Sequence, residues 1–452
     1  MVAAATKTRI AFNDRITHLN ALRVDLNTRY FPRCVMLLRL RQALDLIPNP
    51  AKPAVQRAAA TGFAALLLTL SACGKPPPDL SNDAYVWQRQ WTPAVQQALS
   101  GGADAVQAWR VLIAEMSADG RWFDAAPDLN ALTAARRPVV MVWRLDGRVD
   151  ALNADDTAAR IAAARQAWRH AGITVTGIEI DYDCATSKLP AYRHFLTALK
   201  GRLGPDSALS ITALPTWLNS PELDALLKVP DEAVLQVHAV LNPTQGLFDA
   251  KRARAWLNAF ADRTQKPWRV ALPTYGSRVA WDEDGNVAAI ESERPALQPG
   301  GRATELVVTP AAMAAFVDQI HQSRPRGLAG IVWFRLPTAR DERAWGLATW
   351  RAVLLRQPLQ PALHISTQAS AGGGAQDLVL SNTGNADGAL PFIIRWNGVC
   401  RGADGINGYT LERDGAGLYL RRAQDGLLRA GGQRHIGWIR CETPPTTFHV
   451  QP

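Results

Sequence analysis

Residues 177–183 read Gly177-Ile178-Glu179-Ile180-Asp181-Tyr182-Asp183. A strand's period of two puts Glu179, Asp181 and Asp183 on one face and Ile178, Ile180 and Tyr182 on the other. An ordinary core has no place for that acidic face, because burying three like charges together is costly unless protons or partners compensate. The face must look into a wet or specially paired cavity. Such cavities most often serve acid–base chemistry or metal binding.

Outward from this run, short β-rich stretches recur at Ala84–Trp87, Arg110–Ala114, Val139–Trp143, Gly177–Asp181, Leu209–Ala213, Val234–Val240, Arg269–Pro273 and Gly330–Phe334. Helical patterns at 155–170, 189–203, 221–227, 250–261, 310–323 and 341–355 separate the later ones. Strand–helix alternation of this length predicts an α/β chain folded as a (β/α)8 TIM barrel. A doubly wound sheet would carry a Gly-rich phosphate turn, and the sequence has none.

In such a barrel the chemistry sits where strands end. The predicted ends bring Trp87, Arg89, Glu115, Arg144, Asp146, Asp181, Asp183, Pro215, Trp217, Gln236, His238, Tyr275, Trp333 and Arg335 to one rim. The polar insertion Ser277–Glu305, with Gly285, Gly300 and Gly301, follows the seventh strand and is expected to form a lid or crevice wall. After Pro361 the texture changes. Leu378–Gly384 and Pro391–Trp396 alternate like half-buried strands, predicting a small all-β accessory domain, sandwich-like, over 361–452.

The formal charge of +10 is concentrated at the N-terminus: residues 1–72 hold ten Lys and Arg against Asp14, Asp25 and Asp45, or +7, leaving +3 for the remaining 380 residues. A nearly neutral body argues against a nucleic-acid partner. Thr61–Ala72 is an apolar run of signal-peptide length, too short to span a membrane. It leads into Leu70-Ser71-Ala72-Cys73, which resembles a bacterial lipobox, and a Pro-rich tether, Lys75-Pro76-Pro77-Pro78, follows. The reading is an extension and signal peptide over 1–72, a tether over 73–83 and a barrel over 84–360. Lipid on Cys73 anchors the protein to the cell envelope; Gly74, rather than Asp, resembles the pattern sent to the outer membrane, placing it on the periplasmic face. Residues 1–54 are expected to be an overlong reading frame or a disordered extension, with translation from near Val55 giving a compact signal. Export makes Cys400–Cys441 a possible disulfide, and Cys184 reads as a buried packing residue.

The strand-four run is similar to the Asp-Gly-x-Asp-x-Asp-x-Glu motif of glycoside hydrolase family 18, with Thr176 and Glu179 replacing the first two acids and Asp183 standing at the proton-donating Glu. Trp268–Gly276 and Gly330–Phe334 resemble that family's seventh and eighth strands, where a Trp floors the sugar subsite, here matching Trp333. Taken with the lipobox, the Trp-rich run Tyr85–Trp91 and the terminal β region, the chain more closely resembles a bacterial lipoprotein family named for a domain of unknown function, number 3142.

From the residues themselves, Asp183 is expected to be the general acid, its proton held by Asp181 and Glu179 nearby, with Glu179 deeper and tuning charge. Arg144 or Arg335 holds a carboxylate ionised; His238 and Tyr275 face sugar or water; Trp87, Trp217 and Trp333 offer indole faces to pyranose rings. The carbohydrate ligand needs no cofactor and no metal. Two alternatives stay open: a non-catalytic glycan-binding lipoprotein, and a metal-dependent hydrolase in which the three carboxylates hold Mg²⁺ or Ca²⁺.

Overall fold

The computed structural model describes residues 79–451 apart from 206, 239–245, 283–286, 292–302, 342, 371–373 and 424–425. The apolar run, Cys73, most of the tether and the end of the expected sixth strand, Ala239 and Val240, lie outside the described residues, as do Gly285, Gly300 and Gly301.

Eight parallel strands close on themselves: β1 (Ser81–Val86), β2 (Ala108–Met116), β3 (Val139–Leu145), β4 (Val175–Tyr182), β5 (Ala208–Ala213), β6 (Glu232–Gln236), β7 (Trp268–Pro273) and β8 (Leu328–Phe334). Each pairs with the next, and β1 pairs with both β8 and β2 to shut the ring. The helices that follow the strands in turn are α1 (Pro93–Gly102), α2 (Leu129–Ala135), α3 (Ala154–His170), α4 (Leu189–Leu203), α5 (Leu223–Leu227), α6 (Ala250–Arg263), α7 (Pro310–Gln322) and α8 (Leu347–Leu354). The fold is the expected (β/α)8 barrel. The two earliest helices, α1 and α2, had no counterpart in the sequence reading.

Local chemistry starts these helices where the barrel needs them. Asn153 accepts from the Asp155 and Asp156 amides at the head of α3, while Asp128, Asp249 and Thr309 cap α2, α6 and α7. On each strand one set of alternate residues, such as Trp109, Met141, Ile180 and Trp333, faces the helices and makes the main core. The other set faces the barrel axis. There Tyr85, Leu112, Val142, Val234, Ala271 and Val332 form a middle apolar layer.

Below that layer the barrel floor is ionic. Arg110 donates to Glu179, to Asp83 at 3.1 Å and to Glu232 at 2.5 Å. Arg269 donates to Glu232 at 2.8 Å and to the Ser81 hydroxyl at 2.6 Å. Gly330 is needed beside them, because an added Cβ would occupy the place of the Arg269 guanidinium.

The insertion after β7 contains a three-stranded antiparallel sheet, Gly276–Trp281 flanked by Val287–Glu291 and Ala303–Val307. The expected helix at 341–355 is shortened to α8, because residues 335–341 and 343–346 form a loop tied to the site. Beyond it lie two four-stranded antiparallel sheets whose inner residues, among them Leu378, Leu380, Ile394, Leu420 and Ile436, share one core. Cys400 and Cys441 are disulfide-bonded within this β region, and Cys184 is buried with its thiol pushed up to about 12 by desolvation. Among the described residues no helix is long and apolar enough to cross a membrane.

Candidate functional site

Above the middle layer, the barrel axis opens into a cavity of about 200 Å³. One wall is the acidic strand. Asp181 is buried and accepts from the Thr212 hydroxyl at 2.7 Å; Asp183, just past the end of β4, is exposed at the mouth. A single amide links them, since Gln236 Nε2 lies 3.3 Å from both Asp181 Oδ1 and Asp183 Oδ1. Arg144, from β3, brings Nε to 3.9 Å from Asp181 and Nη1 to 3.7 Å from Glu115, which Arg89 grips with two donors.

Electrostatics separates the two acids from ordinary surface carboxylates. Burial pushes the Asp181 carboxyl up to about 7, the neighbouring Asp183 charge adds to the rise, and Arg144 and the Thr212 hydrogen bond oppose it. Desolvation also raises Asp183, against Arg144 and Gln236. The two titrate as a unit that keeps a proton well above the usual carboxylate range.

The opposite wall is aromatic and neutral. Burial lowers His238 to about 4, so its imidazole is uncharged at neutral pH. Its ring stacks on Phe334 at 5.1 Å; Nδ1 lies 3.5 Å from the Tyr275 hydroxyl, and the buried Nε2 has no partner among the described residues. Desolvation lifts Tyr275 to about 12, opposed by Arg335, whose guanidinium lies 5.4 Å from the ring. Trp87 closes the side between the walls, edge-on to Tyr85 and Phe334 and beneath Arg144 at 5.8 Å.

Asp181, Asp183, Trp87, Arg144, His238 and Tyr275 thus converge, whereas Trp217, Trp333 and Arg335 correct the sequence reading. Glu179 lies deeper than the cavity: it is fully buried in the floor, between Arg110 and the hydroxyls of Tyr85 at 2.7 Å and Ser210 at 3.1 Å. The middle apolar layer stands between it and any ligand. Trp217 is fully buried with its N–H spent on the Cys184 carbonyl at 3.0 Å. Trp333 has the wrong parity; it faces the helices and donates to Asn82 at 2.9 Å, and the cavity aromatic on β8 is Phe334. Arg335 pairs with Asp341, not with the acidic strand.

Residues the sequence reading overlooked as cavity walls are Tyr85, Thr212 and Phe334. Parity would have found each, since Tyr85 is two before Trp87, Thr212 repeats Ser210, and Phe334 is two after Val332.

Residues 135–339, which contain most of these groups, match the family model described as Domain of unknown function (DUF3142). That match covers six of the eight barrel strands, β3 to β8. Residues 365–442 match a second model, Domain of unknown function (DUF8456). Among solved structures, this chain is similar to a chitinase from Chromobacterium violaceum ATCC 12472, with 15% identity and a TM-score of 0.44 over 62% of this chain and 98% of that one. It is similar also to the spore cortex-lytic enzyme SleL of Bacillus megaterium QM B1551 (14%, TM-score 0.46, 62% and 75% covered) and to a class V chitinase from Nicotiana tobaccum (12%, 0.41, 61% and 98%). No curated protein matches the chain.

Proposed function

We propose that the barrel hydrolyses glycosidic bonds of an oligo- or polysaccharide, with the Asp181–Asp183 pair supplying the proton. The observation that carries this reading is the single amide shared by a buried carboxylate and its neighbour at the mouth of an aromatic-lined cavity. Asp183, the outer member, protonates the leaving oxygen and is left as the carboxylate; Asp181 beside it disfavours that ionisation and so keeps the proton available at neutral pH. Trp87 and Phe334 supply apolar faces for a pyranose ring, and Tyr275 and His238 supply hydrogen bonds to its hydroxyls.

Both acids come from one strand, so neither stands across the sugar from the other, as paired acid and nucleophile carboxylates do. The group that displaces the leaving oxygen is therefore water or a substituent of the substrate, met on the His238 side.

The test is turnover of a polysaccharide panel by wild type and Asp183→Asn. Loss of cleavage with retained binding supports the reading; undiminished cleavage sinks it. Binding without cleavage in wild type would make the protein a glycan receptor, and cleavage abolished by EDTA would make it a metal-dependent hydrolase.

We further propose that Cys73 is lipidated and holds the barrel at the periplasmic face of the outer membrane, on the support of the Leu70–Cys73 sequence and the prolines after it. Incorporation of a fatty-acid analogue that survives Cys73→Ser would overturn this.

A further inference from the structure

A second cavity, of about 270 Å³, lies beside the first on the same rim, between the ends of β1 and β8. The two are built from adjacent residues: Trp87 and Phe334 line the first, Gln88, Arg89 and Arg335 the second. The ionic chain from Arg89 through Glu115 to Arg144 links their walls.

Its chemistry differs from that of the proton-donating cavity. Among the described residues, Arg89, Arg335 and Arg340 line it with Asp341; Glu115 pairs with Arg89 and Asp341 with Arg335. Arg335 is buried at 2% exposure and fixed by Asp341. Arg89 is held by Glu115 through Nε and Nη2, and these two bonds orient its Nη1, which takes no part in that pair. Arg340 makes no ion pair among the described residues. A neutral acceptor stands beside these donors: Gln88 gives Nε2 to the Leu336 carbonyl at 3.0 Å, which fixes its amide, and its Oε1 is buried with no partner among the described residues.

The planar fork of Arg340, which no described carboxylate occupies, and the remaining Nη1 of Arg89 match a carboxylate, and a buried amide oxygen asks for a hydroxyl donor. One class of ligand offers both within a single ring, a sugar acid. We infer that this cavity is a subsite for a carboxylate-bearing sugar, one unit removed from the ring held over Asp183, so that the substrate is an acidic glycan. Arg340 and Arg89 bind the carboxylate and Gln88 accepts from a ring hydroxyl. This rests on the hydrolytic reading of the neighbouring cavity for the word substrate, but its binding chemistry stands apart from it.

The experiment measures binding of oligogalacturonate and hyaluronan oligosaccharides, each against its carboxyl-reduced counterpart, to full-length Asp183→Asn protein, alongside cleavage by wild type. The acidic form is expected to bind about tenfold tighter than the reduced form at low salt, with the ratio falling toward one in Arg340→Glu and in high salt. Equal binding of acidic and reduced forms, or a preference that survives both Arg340→Glu and Arg89→Ala, overturns the inference. So does an equal affinity for a sulfated oligosaccharide lacking carboxylates. Cleavage of neutral glycans without acid preference would remove this subsite and leave the hydrolytic reading intact. Arginine-dependent acid binding with no cleavage of any glycan would do the reverse.

Discussion

Arg429, in the C-terminal β region, donates to the backbone carbonyl of Ala344 at 3.0 Å, and Ala344 is bridged to Tyr275 in the cavity wall. The same guanidinium reaches the carbonyls of Thr338, Ala339 and Asp341, while Asp341 holds Arg335. Nearby, Asp387 accepts from the Gly346 amide at 2.8 Å and the Thr349 hydroxyl at 2.6 Å. The β region is thus fastened to the loop that carries one side of the site. Arg429→Ala should loosen that loop, lowering turnover about tenfold or more through misplacement of Tyr275 and Arg335. Arg429→Lys, a point charge without the fork, should not restore it. Calorimetry checks the mechanical part: wild type should melt in one transition and Arg429→Ala in two. Full activity in the alanine variant would show the fastening to be incidental.

Asp181 ties stability to pH with a definite sign. Unfolded, its carboxyl ionises near its usual 3.8; folded, it holds the proton to about 7. Between those values the native state binds the extra proton, so stability falls as pH rises through the window. Asp181→Asn removes the penalty. The variant should be more stable than wild type at about pH 8, by an amount on the order of a few kcal/mol, and equal to it near pH 3, below both values. Catalysis should follow the same proton, with wild-type rate declining above about 7. Denaturant melts across pH check both, and a variant-to-wild-type difference that does not change with pH would contradict the assignment.

Glu179 belongs to the barrel floor, where its loss has a different signature. Burial raises its carboxyl while Arg110 and the Tyr85 hydroxyl oppose the rise. Glu179→Ala leaves the buried Arg110 with one fewer counter-charge, and breaking such a pair costs about 3–5 kcal/mol. The melting temperature should therefore drop sharply, while the pH at which turnover declines stays with Asp181 and Asp183. A shifted pH limb with unchanged stability would return Glu179 to the reacting site.

The barrel was legible because eight short β-rich runs recur with helical patterns between the later ones, and because one of them puts acids where a core needs apolar groups. The acidic strand correctly marked the axis, and position along it separated floor from mouth, which is why Asp181 and Asp183 meet the cavity and Glu179 does not. The tryptophans misled for a physical reason: indole serves equally as packing and as a sugar platform, and residue type does not state parity. Trp333 and Phe334 are neighbours on opposite faces of β8. Arg110 on β2 and Glu232 on β6 form a pair that only the closed ring brings together. The tie between Arg429 and residues 338–344 spans a sequence separation that no local pattern encodes.

Gly147 tests how closely Asp183 must be placed. A Cβ there would fall inside contact distance of the Asp183 carbonyl oxygen, and Lys188 Nζ pins the same turn by donating to the Gly147 carbonyl at 3.0 Å. Gly147→Ala must therefore push the Asp183 backbone outward. A displacement of about 1 Å costs on the order of 100-fold in rate. The expected result is a large fall in kcat with little change in sugar affinity, since Trp87 and Phe334 are on other strands. Unchanged kcat would mean that Asp183 does not act at the reacting bond.

Trp87 and Trp333 lie on neighbouring strands with opposite fates, and truncating each should read out a different property. Trp87 lines the cavity edge-on to Phe334, so Trp87→Ala should weaken binding of a glycan several-fold, in keeping with about 0.5–1.5 kcal/mol for an aromatic contact. Trp333 is fully buried against the helices, 6.5 Å from Trp345, with its N–H paired to Asn82. Trp333→Ala should instead destabilise the fold by about 3–5 kcal/mol. Titrating both variants with the same oligosaccharide, at a temperature where Trp333→Ala remains folded, separates the two outcomes. If Trp333→Ala lost affinity as Trp87→Ala does, the sugar-binding face of β8 would be the one the sequence first suggested, and the parity argument for Phe334 would fail.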